Sequence, residues 1–251
     1  MSFIKDIPNW RGYGRLIKYD KIGSTNEEGK VLARAGTPNW TILQATKQTL
    51  GRGRQGNTWV SEAGNLFMSV VLHLPLRPEN AGQLSFLAGV AVARAVKLFL
   101  PEGTAIQLKW PNDVLIDGLK LSGILIETET ADENGNLPWV VLGVGLNVEN
   151  APDDAIALRN CNIGMLTVED VLVNLCSILK EELEIFEEQG FTPIRKKWME
   201  HAYGLGGEIA VRLPNEELSG VFTDLDNNGV LLLKLEDGSI REITSGEVFI
   251  K

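Results

Sequence analysis

Trp139-Val140-Val141-Leu142-Gly143-Val144-Gly145-Leu146 is apolar throughout, without the in-and-out alternation of a half-solvated strand. Such a run predicts a central strand covered on both faces, so the chain must supply a sheet and helices to cover it. Its two glycines weaken a strand, and close approach of a ligand is one reason to keep them. Working outward, Val114-Leu115-Ile116 and Gly123-Ile124-Leu125-Ile126-Glu127 flank the tight turn Asp117-Gly118 and read as a hairpin. Residues 40–46 and 66–74 read as two further strands, and Arg15 to Tyr19 as a first strand, with Pro8, Gly12 and Gly14 breaking any longer element there. Ser24 followed three residues later by Glu27 is a capping-box pattern that predicts a helix over 25–34. Leu84, Leu87, Ala91, Ala95 and Leu98 fall at helical spacing, as do Val168, Val171, Leu175, Ile178 and Leu183. A last helix is expected over 191–201. The fold class is therefore α+β, a mixed central sheet flanked by helices.

At Gly204-Leu205-Gly206-Gly207 the character changes. Four short strands over 208–213, 218–224, 230–234 and 239–243 are separated by turn residues, which predicts a small antiparallel barrel or sheet packed on the main body. The expected division is 1–203 and 204–251.

A chain of 251 residues with 44% hydrophobic and 23% charged residues has an ordinary globular composition. Its 33 acidic and 24 basic residues leave a net charge of −9, which argues against DNA or RNA as a partner. Cys161 and Cys176 have no nearby histidine and read as reduced thiols, and no targeting or membrane-length apolar run is seen; a cytoplasmic, non-membrane protein is expected.

Chemistry is expected around Gly51-Arg52-Gly53-Arg54-Gln55-Gly56-Asn57-Thr58-Trp59. Closely spaced glycines let the backbone turn tightly and approach a bound group, and two arginines supply rigid forks of N–H donors for anions. The alternative is a solvated hairpin. Lys109-Trp110-Pro111-Asn112-Asp113 places a cation and two short polar side chains around a constrained turn, the alternative being a turn capped by its own Asn and Asp. Lys120, just ahead of Gly123, adds a third site of positive charge, or else is a solvated charge on an edge strand. Ser24 is a helix cap or, with Thr25 and the free N–H groups of a helix start, a receiver for a polar ligand group. His73 and His201 have no convincing nucleophile partner, and neither a His-Glu-x-x-His nor a Walker-type Gly-Lys-Ser/Thr pattern occurs. Chemistry would have to proceed by positioning and charge stabilisation, as in phosphoryl or nucleotidyl transfer.

Together these stretches resemble the biotin–protein ligases, also called biotin–[acetyl-CoA-carboxylase] ligases or holocarboxylase synthetases. The loop 51–59, Lys109-Trp110-Pro111-Asn112-Asp113, Lys120 to Glu127, Gly143-Val144-Gly145-Leu146-Asn147 and Ser24-Thr25-Asn26 match that family's motifs in order. The resemblance implies a biotin–lipoate ligase fold, like that of class II aminoacyl-tRNA synthetases, with a small carboxyl-terminal SH3-like β-barrel. It implies ATP, biotin and Mg²⁺, formation of biotinyl-5'-AMP and pyrophosphate, and transfer of biotin to a lysine of a biotin carboxyl carrier domain of acetyl-CoA carboxylase or another carboxylase. By carry-over, Ser24, Thr25, Gln48 and Arg52 surround the ureido ring and Gly123 and Gly143 line an apolar slot. Asn26, Gly51 and Gly53 belong to the binding set. Arg54 faces the phosphates, Lys120 holds the reacting carboxylate and α-phosphate oxygens, Trp59 lies over adenine and Asn147 at its edge. Lys109, Asn112 and Asp113 lie near phosphate or Mg²⁺, with Asp113 the candidate metal ligand, and Lys120, Arg54 and Arg52 form the catalytic set.

Two departures stand out. Gln55 and Asn57 occupy loop positions where relatives often carry arginine, which lowers local positive charge. The catalytic resemblance starts within the first twenty residues, so the expected form has no amino-terminal DNA-binding domain. Monomer and homodimer both stay open. The alternatives are a lipoate or octanoate ligase, which would need a long apolar tunnel, and a non-catalytic biotin-binding protein.

Overall fold

The computed structural model describes the backbone of residues 2–250 and the side chains of 5–250. The central apolar run forms β8 (Val140–Leu146), which pairs with β4 (Leu66–Leu72) on one side and β7 (Leu119–Thr128) on the other. Beyond β4 lie β3 (Thr41–Gln48), β2 (Gly14–Ile22) and the edge strand β1 (Ser2–Trp10); beyond β7 lie β6 (Asp113–Ile116) and β5 (Ile106–Lys109). The eight-stranded sheet is mixed: β2 and β3 run parallel while every other neighbouring pair is antiparallel.

Helix α1 (Thr25–Arg34) is the crossover between the two parallel strands. It covers one face of the sheet with a small cluster that includes Ile17, Leu43, Val71 and Val141. Residues one position along each strand, Leu16, Ile42, Val70 and Leu142, belong to the larger core on the opposite face. Helices α2 (Gln83–Lys97), α3 (Val168–Gln189) and α4 (Phe191–Met199) pack there. This alternation is why β8 had to be apolar at every position. The three helices are joined by the fully buried Glu182, which is ion-paired to Arg94 at 2.5 Å and Lys197 at 2.7 Å.

The second sheet holds β9 (Glu208–Arg212), β10 (Glu217–Leu225), β11 (Leu231–Lys234), β12 (Ile240–Ile243) and β13 (Glu247–Ile250), in the order β12-β11-β10-β9-β13. The expected SH3-like barrel is not formed. The sheet is open, with β12 and β13 as its two edges and no hydrogen-bonded ladder between them among the described residues. The turn residues and apolar alternation that predict antiparallel strands carry no information on whether the first and last strands meet. Here the Thr244-Ser245-Gly246 connection leaves β12 and hands β13 to β9 instead, in register Val248↔Val211. The apolar side of the sheet, including Phe222, Leu231 and Val248, is continuous with the core under α2 and α4. Trp110 Nε1 donates to the Gly229 carbonyl at 3.0 Å across the junction.

Two smaller expectations also change. Strand β1 forms in spite of Pro8, because it is an edge strand with a register jump between Ile7 and Trp10, where a missing N–H costs no ladder bond. Ser24 is the N-cap of α1 but its side chain makes no capping bond; Glu27 pairs with Lys30 and Arg52 instead. Cys161 and Cys176 are free, and burial, aided by the charge of Glu169, pushes the Cys176 thiol up to about 12. No helix among the described residues is long and apolar enough to cross a membrane.

Candidate active site

Three glycines strip side chains from the α1 face of the sheet just beyond the start of that helix. Gly123 on β7 faces Gly145 on β8 in register, and Gly143 lies two residues back along β8. A Cβ at Gly145 would come within 2.5 Å of Trp59 Cε2, one at Gly123 within 2.9 Å of Trp59 Cζ3, and one at Gly143 would overlap the Asn26 amide. The glycines of the central strand are thus needed for close approach, and in this structure the groups that approach are the indole of Trp59 and the amide of Asn26. Above this floor is a cavity of about 130 Å³.

One end of the cavity is polar and neutral. The N–H and hydroxyl of Thr25 donate to Gln48 Oε1 at 2.8 and 3.2 Å, and Gln48 Nε2 donates to Ser61 Oγ at 3.0 Å. Behind them the buried Ser69 hydroxyl donates to Asn26 Oδ1 at 2.6 Å and lies 2.8 Å from Thr25 Oγ1. Asn26 Nδ2 donates in turn to Glu127 Oε2 at 3.0 Å. Burial would raise the Glu127 carboxyl, but hydrogen bonds from Asn26 and Lys30 and the charges of Lys30 and Arg52 outweigh it and hold the group below the usual carboxylate range.

The other end is cationic. Lys120 Nζ is 2.8 Å from Asp113 Oδ1 and sits 5.4 Å from the centroid of the Trp59 ring. Lys109 Nζ is 4.0 Å from Asp113 Oδ2. Arg54 Nη1 donates to Asn112 Oδ1 at 3.3 Å, and Asn112 is itself fixed by donating to the Ile124 carbonyl at 2.9 Å. Burial lowers the proton affinity of the Arg54 guanidinium, opposed by the charge of Asp113. Arg52 is engaged at the rim by Glu27 and by Glu127, the latter at 3.4 Å.

Of the residues expected at the site, Ser24, Thr25, Asn26, Gln48, Arg52, Gly53, Arg54, Trp59, Lys109, Asn112, Asp113, Lys120, Gly123 and Gly143 all line this one cavity. Gly51 and Asn147 do not. Gly51 lies at the loop base, where a Cβ would overlap Ser61 Oγ and the Trp59 carbonyl. Asn147 is buried behind Lys120, its Nδ2 donating to the Ile156 carbonyl at 3.2 Å, so it fixes the segment after β8. Gly145, singled out in the sequence only as a strand glycine kept for close approach, lines it too, and sequence reasoning passed over Gly246 and Glu247, which also line the cavity. It passed over Ser61, Ser69 and Glu127 as well. Ser69 had a visible signal, a single hydroxyl within Leu66-Phe67-Met68-Ser69-Val70-Val71-Leu72. Glu247 had none, since the second sheet alone brings it there.

Comparison with known proteins agrees with this geometry. Residues 21–147 match the biotin/lipoate A/B protein ligase family, a description that spans two ligand classes. Residues 204–251 match the biotin protein ligase C-terminal domain, which separates them. The chain belongs to the biotin protein ligase family. The ligase is 34% identical over 244 residues to the bifunctional ligase/repressor BirA of Bacillus subtilis, covering 93% of this chain and 73% of that one. It is 33% identical over 242 residues to the biotin–[acetyl-CoA-carboxylase] ligase of Paracoccus denitrificans, covering 91% and 98%. Among solved structures, the ligase resembles the biotin protein ligase of Aquifex aeolicus in complex with biotin and ATP, with a TM-score of 0.79, 31% identity and coverage of 94% and 98%.

Proposed function

We propose that this ligase condenses biotin with ATP to biotinyl-5'-AMP and pyrophosphate, then transfers biotin to a lysine of the biotin carboxyl carrier domain of acetyl-CoA carboxylase or a related carboxylase. The observation that carries the reading is one cavity with a neutral hydrogen-bonding end at Thr25 and Gln48 and a cationic end at Arg54, Lys109 and Lys120, joined by a glycine floor. A carboxylate and a triphosphate repel each other, and adenylation needs them in contact; the cationic end offsets that repulsion in a partly desolvated site. Lys120 is assigned to the oxygens where negative charge grows, Arg54 to the phosphates, and Thr25 and Gln48 to the polar ring. Trp59 is assigned to the adenine. The polar end also disfavours a lipoyl or octanoyl chain, which has no ring to satisfy those groups.

Among the described residues no group of three or more His, Cys, Asp or Glu side chains is placed to hold a metal ion. The residues nonetheless fit a magnesium ion that enters on ATP, because Mg²⁺ needs only one or two carboxylates beside substrate phosphates and water. Asp113, lining the cavity with its Oδ2 4.0 Å from Lys109, is the assigned carboxylate. Bound Mg²⁺ would neutralise phosphate charge; Asp113 meanwhile holds Lys120 in place.

The division into a catalytic unit, 1–203, and a carboxyl-terminal unit, 204–251, belongs to the same proposal, supported by the separate second sheet. So does a cytoplasmic location, supported by the two unpaired thiols. The test is incubation of the purified chain with biotin, ATP, Mg²⁺ and a purified carrier domain. Biotin should appear on the carrier by mass, with stoichiometric pyrophosphate; neither product forming defeats the reading.

A further inference from the structure

Ser61 lies outside the cavity lining and is 6% exposed, yet it stands where the ring-binding end meets the loop. Its hydroxyl accepts from Gln48 Nε2 at 3.0 Å and donates to the Trp59 carbonyl at 3.0 Å. The direction of this chain of bonds is forced. The Thr25 N–H can only donate, so the Gln48 carbonyl oxygen must face it at 2.8 Å. The Gln48 NH₂ then faces Ser61, whose hydroxyl must accept there and has its one hydrogen left for Trp59. Gly51 leaves room for the arrangement, since a Cβ at that position would overlap both Ser61 Oγ and the Trp59 carbonyl.

We infer that Ser61 is the positioning residue that holds the Gln48 NH₂, while Thr25 holds its oxygen, and ties that amide to the loop at Trp59, so that recognition of the polar ring and seating of the loop are coupled. The inference rests on the ligase reading above. A ureido ring offers both N–H donors and a carbonyl acceptor, and a Gln48 amide held in one orientation beside Thr25 presents a fixed pattern of donor and acceptor to it. Removing the Ser61 hydroxyl leaves the Gln48 NH₂ without its partner, so the amide is held from the Thr25 side alone, and releases the carbonyl of the residue that seats on Gly123 and Gly145.

The test is a double-mutant cycle on the full chain, with KM for biotin and for ATP read from pyrophosphate release and the loss of preformed adenylate followed in parallel. Ser61→Ala should raise the KM for biotin about tenfold, the worth of one oriented hydrogen bond, and raise the KM for ATP less, by no more than about threefold through the loosened Trp59. It should also speed adenylate release several-fold. In a Gln48→Ala background the same change should add less than about twofold to the KM for biotin, because Ser61 acts through Gln48. Ser61→Thr, which keeps the hydroxyl, should restore the wild-type KM and covers the case of a poorly folded alanine variant. An unchanged KM for biotin in Ser61→Ala, a full additional penalty on Gln48→Ala, or a threonine variant that behaves like alanine overturns the inference. A wild-type chain that releases no pyrophosphate with biotin defeats the ligase reading and the inference with it; results on an active wild type bear on Ser61 alone.

Discussion

Lys120 Nζ and Asp113 Oδ1 lie 2.8 Å apart on neighbouring strands β7 and β6, beneath the ring of Trp59. The pair holds a lysine that is still 38% exposed at one place in the cavity. In Lys120→Ala, adenylate formation should fall by two orders of magnitude or more while biotin affinity changes less than about tenfold, since the charge matters most where negative charge develops. Single-turnover pyrophosphate release beside biotin calorimetry separates the two, and equal losses would assign Lys120 to ground-state binding.

Arg54 closes the cationic end through Asn112. Arg54→Gly removes that contact and adds backbone freedom to the loop, so biotinyl-5'-AMP should escape several-fold faster and label lysines on bystander proteins. Trapping of released adenylate by hydroxylamine measures this, and an unchanged release rate contradicts the assignment of the loop as a cover.

At Gly145 a methyl group would meet Trp59 Cε2 at 2.5 Å. Gly145→Ala should unseat the indole, raise acrylamide quenching of tryptophan fluorescence and cut kcat/KM at least about tenfold. The strand itself should tolerate alanine, so the melting temperature should barely move.

Glu127 contributes with a definite pH sign. Its folded value lies below the ordinary 4.5, so its contribution is fully present above that pH and is lost as pH falls through the folded value. The stability difference between the wild type and Glu127→Gln should be largest above pH 4.5 and shrink on acidification, as read from urea midpoints at a series of pH values. A difference that grows toward acid would reverse the assignment.

Glu182 tests the helical layer instead of the site. It is fully buried between Arg94 and Lys197, and removing it leaves two cations facing a void. Glu182→Ala should cost about 3 kcal/mol, at the low end for a buried pair because Arg94 keeps access to water. A thermal shift of roughly 6 to 12 °C would follow for a chain of this size.

Much of this was legible in the sequence because periodicity and turn chemistry are local. The all-apolar run around Leu142 predicted a central strand, and Asp117-Gly118, both at positive φ, predicted the hairpin that carries the lysine. The motif residues converge because the start of α1, the loop after β3, the turn before β6 and the middles of β7 and β8 meet around one cavity. What failed depended on distant partners. The helix over 25–34 was right while its reason was not: Glu27 turns to Arg52, and the capping box is realised instead at Thr167 and Asp170. The barrel failed because sheet closure is set by which edges meet. Asn147 and Gly51 sit in their motifs but outside the cavity lining, a placement that residue type alone does not reveal. Ser61 and Glu127 meet the site residues through side chains that are remote in sequence, and no spacing rule finds them; Ser69 alone leaves a mark, a lone hydroxyl in an apolar strand.

A bond from Trp110 to the Gly229 carbonyl, beside the Lys109 ammonium over the Phe249 ring, ties the second sheet to the hairpin that also carries Asn112 and Asp113. Gly229 is seated so closely that a Cβ would come within 2.8 Å of Phe86, which leaves no slack at the joint. The carboxyl-terminal sheet is therefore not an appendage: with Gly246 and Glu247 in the lining and Gly229 against Trp110, it forms part of the wall of the cavity itself.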